Sequence, residues 1–278
     1  MDWNLITGLV YGFISGFTGL LPVSAEGHQI LFRELTGIAT PAVGFRLASH
    51  IAMLTALLVL MRPQLMRFRR ERKLASVPVR RRRRQPDVLA LKEDRFWRTS
   101  LIPACLVTVG FCFLRPYVQS LLVLAILIFC CGLLLYFPQF YRRGNKAAET
   151  VSGLDGFLLG IGSGIASVPG LSGFAGGLFA SSLRGLDNRF AVDNCLMTLL
   201  AVLPVMIGYD LYEIIFLEGA MLSAGWLLLY LTAALAAFGG GVLAVKLVRF
   251  LSVRVGFSGF AYYCWVLSIF TFALYLIV

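Results

Sequence analysis

The 278-residue chain is 59% hydrophobic and 14% charged, with a mean hydropathy of +0.83. That composition excludes an ordinary soluble domain, in which about 25% of residues are charged. The formal net charge of +11 concentrates in residues 62–98, which hold fourteen Lys/Arg against four Asp/Glu, so it excludes a generally basic, nucleic-acid-coating surface.

In chain order, the stretch 5–32 is apolar but interrupted at mid-length by Gly, Ser and Pro. With Asp2 ahead of it and breaks inside it, it reads as part of the fold and not as a cleavable leader. A full span follows at 45–61, then the basic segment 62–98, then spans at 99–115 and 118–137. A second interrupted stretch covers 154–183, and spans at 194–212, 221–245 and 257–278 complete the chain. Broken helices persist at membrane depth only where protein or a cavity surrounds them, so both interrupted stretches are expected to be re-entrant helix hairpins. The predicted fold is therefore an all-α, polytopic, single membrane domain with six transmembrane helices and two re-entrant hairpins.

Basic loops face the cytoplasm. Placing 62–98 inside also puts Arg142, Arg143, Lys146, Arg184, Arg189, Lys246, Arg249 and Arg254 inside. Asp210, Glu213 and Glu218 then face outward. The run Arg80 to Arg84 suits anionic membrane lipids, and it lacks the interleaved aromatics of a nucleic-acid platform. No nucleic-acid partner is expected. The six cysteines, Cys105, Cys112, Cys130, Cys131, Cys195 and Cys264, lie in apolar segments without CxxC spacing and read as small buried hydrophobes.

An internal repeat orders the two halves, about 5–137 and 154–278. Gly12, Ser15, Gly16 and Ser24 return 148 positions later as Gly160, Ser163, Gly164 and Ser172. Pro22 and Pro169 mark the breaks, one residue out of step. Three spans lie between the repeats, so the hairpins enter from opposite sides. Such inverted repeats place a binding site near the midplane, and helix ends at the breaks suit an anionic headgroup. Gly and Ser also serve close helix packing.

Two segments carry a family resemblance. Ser15-Gly-Phe-Thr-Gly-Leu-Leu-Pro-Val-Ser-Ala-Glu-Gly-His28 resembles the first signature of the undecaprenyl-pyrophosphate phosphatases, E-G-x-T-E-F-L-P-V-S-S-x-G-H. Pro169-Gly-Leu-Ser-Gly-Phe-Ala-Gly-Gly177 resembles their second, P-G-x-S-R-S-G-x-T. Phe45 to Ala56, Leu199 to Val202 and Ala244 to Lys246 extend the likeness over nearly the whole chain. The resemblance implies six spans with two opposed hairpins, a bacterial inner-membrane location, and a polyprenyl phosphate or pyrophosphate as partner. It implies a divalent cation such as Mg or Ca if the chain hydrolyses its lipid. A homodimer is left open.

Several signature positions depart from the family. Its two glutamates fall on Ser15 and Gly19, its arginine on Gly173, its second serine on Phe174 and its threonine on Gly177. Ser24, Gly27, His28, Gly170 and Ser172 are retained. Pyrophosphate hydrolysis needs an activated nucleophile and charge neutralisation at the phosphoryl oxygens. The candidates for the chemistry are His28 and Ser24 as nucleophile or base, with Glu26 as acid/base or metal ligand. Ser172, Gly170, Gly173, Gly27, Arg46 and His50 are the candidates for substrate binding. Arg46 and His50 share a helix face. Arg46 can supply the positive charge that Gly173 lacks, or it can snorkel to the interface. His50 reads as a hydrogen-bonded packing residue, and Asp193 as a partner for Arg46 or a helix cap. Three functions compete: a phosphatase with altered residues, a polyprenyl-phosphate transporter or flippase, and a non-catalytic lipid-binding partner.

Overall fold

The computed structural model describes residues 4–38, 43–118, 120–141, 144–217, 226–254 and 257–277. Asp2, Arg142, Arg143 and Glu218 lie outside the described residues, as does the side chain of Arg254. Among the described residues the regular structure is helical, apart from one isolated bridge between Lys146 and Leu186.

Among the described residues ten α-helices follow one order twice: two short helices, then three long ones. The first five are α1 (Leu5–Gly19), α2 (Ala25–Thr36), α3 (Val43–Ser76), α4 (Val88–Leu114) and α5 (Leu121–Tyr136). The second five are α6 (Gly153–Gly164), α7 (Gly173–Leu183), α8 (Asn188–Tyr212), α9 (Leu227–Arg254) and α10 (Ser258–Ile277). Among the described residues six helices, α3, α4, α5, α8, α9 and α10, are long and apolar enough to cross a membrane. The chain is an integral, multi-pass membrane protein.

Both interrupted stretches break where the sequence places Pro and Ser. Pro22 lacks an N–H and disfavours helix at the residue before it. Ser24 then caps α2, its Oγ accepting the Gly27 N–H at 3.1 Å. In the second half a 3-10 turn, Ile165–Ser167, ends α6. Gly170 takes φ = 90°, a conformation that favours glycine. Ser172 caps α7 by accepting the Ala175 N–H at 3.3 Å.

The repeated glycines do the same packing work in each half. α1 packs chiefly on α9, and α6 chiefly on α4. A Cβ added at Gly12 or Gly16 would overlap the backbone of Ala233 or Ala237 on α9. One added at Gly160 would overlap the Ser100 carbonyl on α4, and one at Gly164 would lie 2.6 Å from Val107 Cβ and 2.9 Å from the Ala104 carbonyl oxygen. Small residues let the helix backbones touch, which is how helices gain van der Waals contact in lipid. The packing reading of these four glycines accounts for them fully.

The basic segment 62–98 is mostly helix rather than loop. α3 has 34 residues, about 51 Å at the α-helical rise, against about 30 Å of hydrocarbon. Its C-terminal part and the start of α4 therefore project together beyond the bilayer. Carboxylates tie the projection together. Arg67 pairs with Asp87 at 2.8 Å and Glu93 at 3.2 Å. Glu71 takes Arg70 at 3.0 Å and Arg84 at 2.5 Å. The Asp87 carboxyl is held below its usual value, first by the Arg67 hydrogen bond and then by the Ala90 N–H. Arg82 donates to the carbonyls of Ala75 and Val77 at 2.6 and 2.7 Å. Arg80, Arg81 and Arg83 are exposed and make no ion pair among the described residues.

Candidate functional site

The two breaks meet inside the protein. The Gly170 N–H donates to Ser24 Oγ at 2.8 Å, and Ser172 Oγ donates to the Leu21 carbonyl at 3.3 Å. Each capping serine thus also holds the opposite break. Leu20, Leu21 and Val23 are buried in the same core. Ser24 Oγ accepts two N–H groups at once, from Gly27 and Gly170. Both of its lone pairs are engaged in the junction.

Two spaces flank the junction. A small cavity of about 40 Å³ lies between the breaks, with Gly19, Glu26, His50, Ser172 and Gly173 in its lining beside Met53, Leu199 and Met206. A larger cleft of about 490 Å³ opens along α1, α2 and α10, lined by Phe13, Phe17, Leu31, Phe260, Tyr263 and others, almost all apolar. His28 lines the large cleft and not the small cavity. Its Nδ1 donates to the Ser24 carbonyl at 2.6 Å, so a neutral ring accepts the Tyr263 hydroxyl at Nε2, also 2.6 Å. The rings of His28 and Tyr263 stack at 5.8 Å. Ser24, Ser172 and His28 therefore do not line one common cavity. Ser172 and Glu26 face the cavity, His28 faces the cleft, and Ser24 joins the two breaks.

Gly173 sits where the related signature has arginine. Its Cβ position would overlap the Ser163 carbonyl and lie 2.6 Å from Ala166 Cβ. At Gly19 an added Cβ would crowd the flexible Met53 side chain and make ordinary contact with Ala25 Cβ at 3.6 Å. Gly27 is more open, 3.3 Å from Ser24 Oγ. Ser15 is fully buried and accepts from Gln29 at 2.9 Å while donating to the Tyr11 carbonyl at 2.7 Å.

A buried charge cluster adjoins the cavity at the ends of α3, α4 and α8 farthest from the basic projection. Arg46 pairs with Asp210 at 2.6 Å and with Glu213. His50 Nδ1 meets Asp210 at 2.5 Å. Arg115 pairs with Glu26 and lies 3.7 Å from Asp210. Asp210 is 0% exposed, Glu26 5% and Arg115 8%. A carboxylate so far from water is stable only with paired cations and hydrogen bonds. Arg46 is therefore a paired, mostly buried group and not a snorkelling one, and His50 is an Asp210 partner as well as a packing residue. Asp193 is not the partner of Arg46. It pairs with Arg249 at 2.9 Å, near the opposite ends of the helices.

Sequence reasoning missed Arg115 and gave Asp210 and Glu213 only a topological role. The signal for Arg115 was present, since it closes the span read as 99–115, and an ionisable residue there is a site candidate by default. Its acidic partners come from α2 and α8, which sequence spacing does not bring together.

The donor set does not suit a divalent cation. Mg²⁺ and Ca²⁺ take free carboxylate and carbonyl oxygens, whereas Glu26, Asp210 and Glu213 are each committed to a guanidinium. Among the described residues no group of three or more His, Cys, Asp or Glu side chains is arranged to hold a metal.

Residues 8–270 match the family described as bacitracin resistance protein BacA. Curated relatives include the undecaprenyl-diphosphatase of Halothermothrix orenii, 26% identical over 269 residues and 93% of each chain. That of Desulfosudis oleivorans is 27% identical over 275 residues, 95% of this chain and 96% of its own. That of Methanobrevibacter smithii is 26% identical over 277 residues, 97% of each. With the match running nearly from end to end, the chain belongs to the bacitracin resistance protein BacA family.

Proposed function

We propose that this protein binds a polyprenyl phosphate or pyrophosphate with the headgroup at the junction of the two breaks and the chain in the α1–α2–α10 cleft. We further propose that it releases phosphate far more slowly than relatives carrying both signature glutamates and the arginine. The observation that carries the second statement is the close backbone contact at Gly173, which leaves no room for the arginine of the resembling signature. The first rests on a small cavity that holds Glu26, His50 and Ser172 in an otherwise apolar lining and lies beside an apolar cleft. A phosphate supplies acceptors for first-turn N–H groups of α2 and α7, which have no intrahelical partner. An isoprenoid tail supplies the apolar surface that the cleft lacks. In this arrangement Ser172, Gly173, Gly170 and Gly27 shape the headgroup site, Ser24 joins its two walls, and His28 with Tyr263 marks the passage to the cleft.

The same reading takes α1–α2 and α6–α7 as opposed re-entrant hairpins of an inverted repeat in the bacterial inner membrane. It places the basic projection in the cytoplasm with Arg80, Arg81 and Arg83 against anionic lipids. The test is phosphate release from undecaprenyl pyrophosphate by purified protein, with and without Mg²⁺ or Ca²⁺, beside the Halothermothrix orenii relative. The proposal expects saturable lipid binding with a release rate lower by a factor of ~100 or more, the size of effect of losing one charge-stabilising group. Release at the relative's rate contradicts it.

A transporter or flippase is the second reading, favoured by the matched packing of α1 on α9 and α6 on α4. Equivalent halves suit alternating access around one central site. Movement of a labelled polyprenyl phosphate between the leaflets of proteoliposomes, absent from empty liposomes, separates it from passive binding.

A further inference from the structure

We propose that Glu26 is a displaceable internal counter-ion, and that an incoming phosphate takes its place on Arg115. The inference deepens the lipid-phosphate reading above and rests on it.

Arg115 is 8% exposed and pairs with Glu26 directly. Its second carboxylate, Asp210, is 3.7 Å away and already receives Arg46 at 2.6 Å and His50 at 2.5 Å. Glu26 is thus the only close carboxylate that belongs to Arg115 alone among the described residues. Glu26 lines the cavity between the breaks, and Arg115 does not. Seen from the cavity, the carboxylate stands in front of the guanidinium.

An anion entering that cavity meets a like charge first. Two anions beside each other in a low dielectric repel strongly, so binding requires one to yield. Carboxylate and phosphate offer the same bidentate acceptor geometry to a guanidinium. The phosphate carries at least as much charge, so exchange keeps Arg115 paired. Glu26 sits in the first turn of α2, at the edge of the break, and when it gives up Arg115 its buried carboxylate takes up a proton, so no unpaired charge is left behind. Arg115 would then supply the cationic contact that the close-packed Gly173 cannot. The shared chemistry is a phosphate or pyrophosphate anion, whether on a lipid or free.

The experiment measures binding of farnesyl phosphate and of inorganic pyrophosphate to full-length protein in nanodiscs. Glu26→Gln is expected to tighten farnesyl phosphate binding by about tenfold, the scale of one charged hydrogen bond. Arg115→Gln is expected to weaken it by at least about tenfold on the same scale. Because Arg115→Gln leaves Glu26 buried without a cation, the double variant Glu26→Gln/Arg115→Gln is measured too, and folded protein that fails to bind supports the exchange. A parallel response of inorganic pyrophosphate assigns the site to the free anion, and its absence assigns it to the lipid headgroup. Wild-type binding with Glu26→Gln equal or weaker overturns the exchange and spares the lipid-binding reading. Failure of wild type and Glu26→Gln alike to bind either probe overturns both.

Discussion

Gly170 donates its N–H to the hydroxyl of Ser24 at 2.8 Å, across 146 positions of sequence. One side chain therefore closes the α2 cap and also holds the break of the other half. Ser172 returns the arrangement less tightly, with both of its bonds at 3.3 Å.

Ser24→Ala should consequently be the more damaging serine substitution. It strands two buried N–H groups, at ~1–3 kcal/mol for each buried group left unpaired. Thermal unfolding in detergent should rank Ser24→Ala below Ser172→Ala, and the reverse order would show that Ser24 is not the tie between the breaks.

Restoring the signature arginine should not restore hydrolysis. Gly173→Arg, and even Gly173→Ala, drives a Cβ into the Ser163 carbonyl, which is backbone and cannot step aside. Overpacking of this kind costs ~1–3 kcal/mol. Gly19→Ala crowds the flexible Met53 side chain rather than backbone and should be milder. Yield of monodisperse protein and unfolding temperature check the ranking. A well-folded, hydrolytically active Gly173→Arg variant would overturn the steric account.

Asp210→Asn should destabilise far more than Asp193→Asn. Asp210 is fully buried among Arg46, His50 and Arg115, and breaking such a cluster costs ~3–5 kcal/mol. Asp193 and Arg249 form a partly exposed pair, with side chains 33% and 39% accessible, worth ~1 kcal/mol at most. Denaturation of both variants in the same detergent decides the matter. Equal effects would mean that the Asp210 cluster is not a closed unit.

Orientation is testable with a thiol reagent that does not cross membranes. With the native cysteines replaced, a cysteine at Ser76 should stay unlabelled in intact cells, and one at Tyr117 should react. Ser76 ends α3 in the basic projection, and Tyr117 is 81% exposed at the far end of α4. Labelling of Ser76 from outside reverses the topology.

Most of the fold was legible in the sequence because its cues are local. Pro22 with Ser24 and Pro169 with Ser172 fixed where the short helices break. Apolar length fixed the six long helices. What local cues do not carry is which side chains converge. Arg115 ends one apolar run, Glu26 opens the short α2, and Asp210 closes α8, so their meeting depends on how three helices pack. The same limit separated His28 from the cavity. Its position four residues after Ser24 placed it on α2, but only packing against α10 decided that it faces Tyr263. The projecting end of α3 was read as loop because its arginines look like a solvated charge run. In the folded chain Glu71, Asp87 and Glu93 neutralise part of that run and help hold the projection together.

In the proposed complex the headgroup sits at the junction of the breaks while the tail lies along α1, α2 and α10. Photo-crosslinking with a polyprenyl phosphate carrying a diazirine on its first isoprene unit tests this most directly. The label should fall on peptides containing Leu21 to His28 and Phe260 to Leu267, and unlabelled polyprenyl phosphate should compete it away. Label concentrated instead on the α5–α10 groove around Ile126 and Phe272, or spread evenly over lipid-facing residues, would contradict the account.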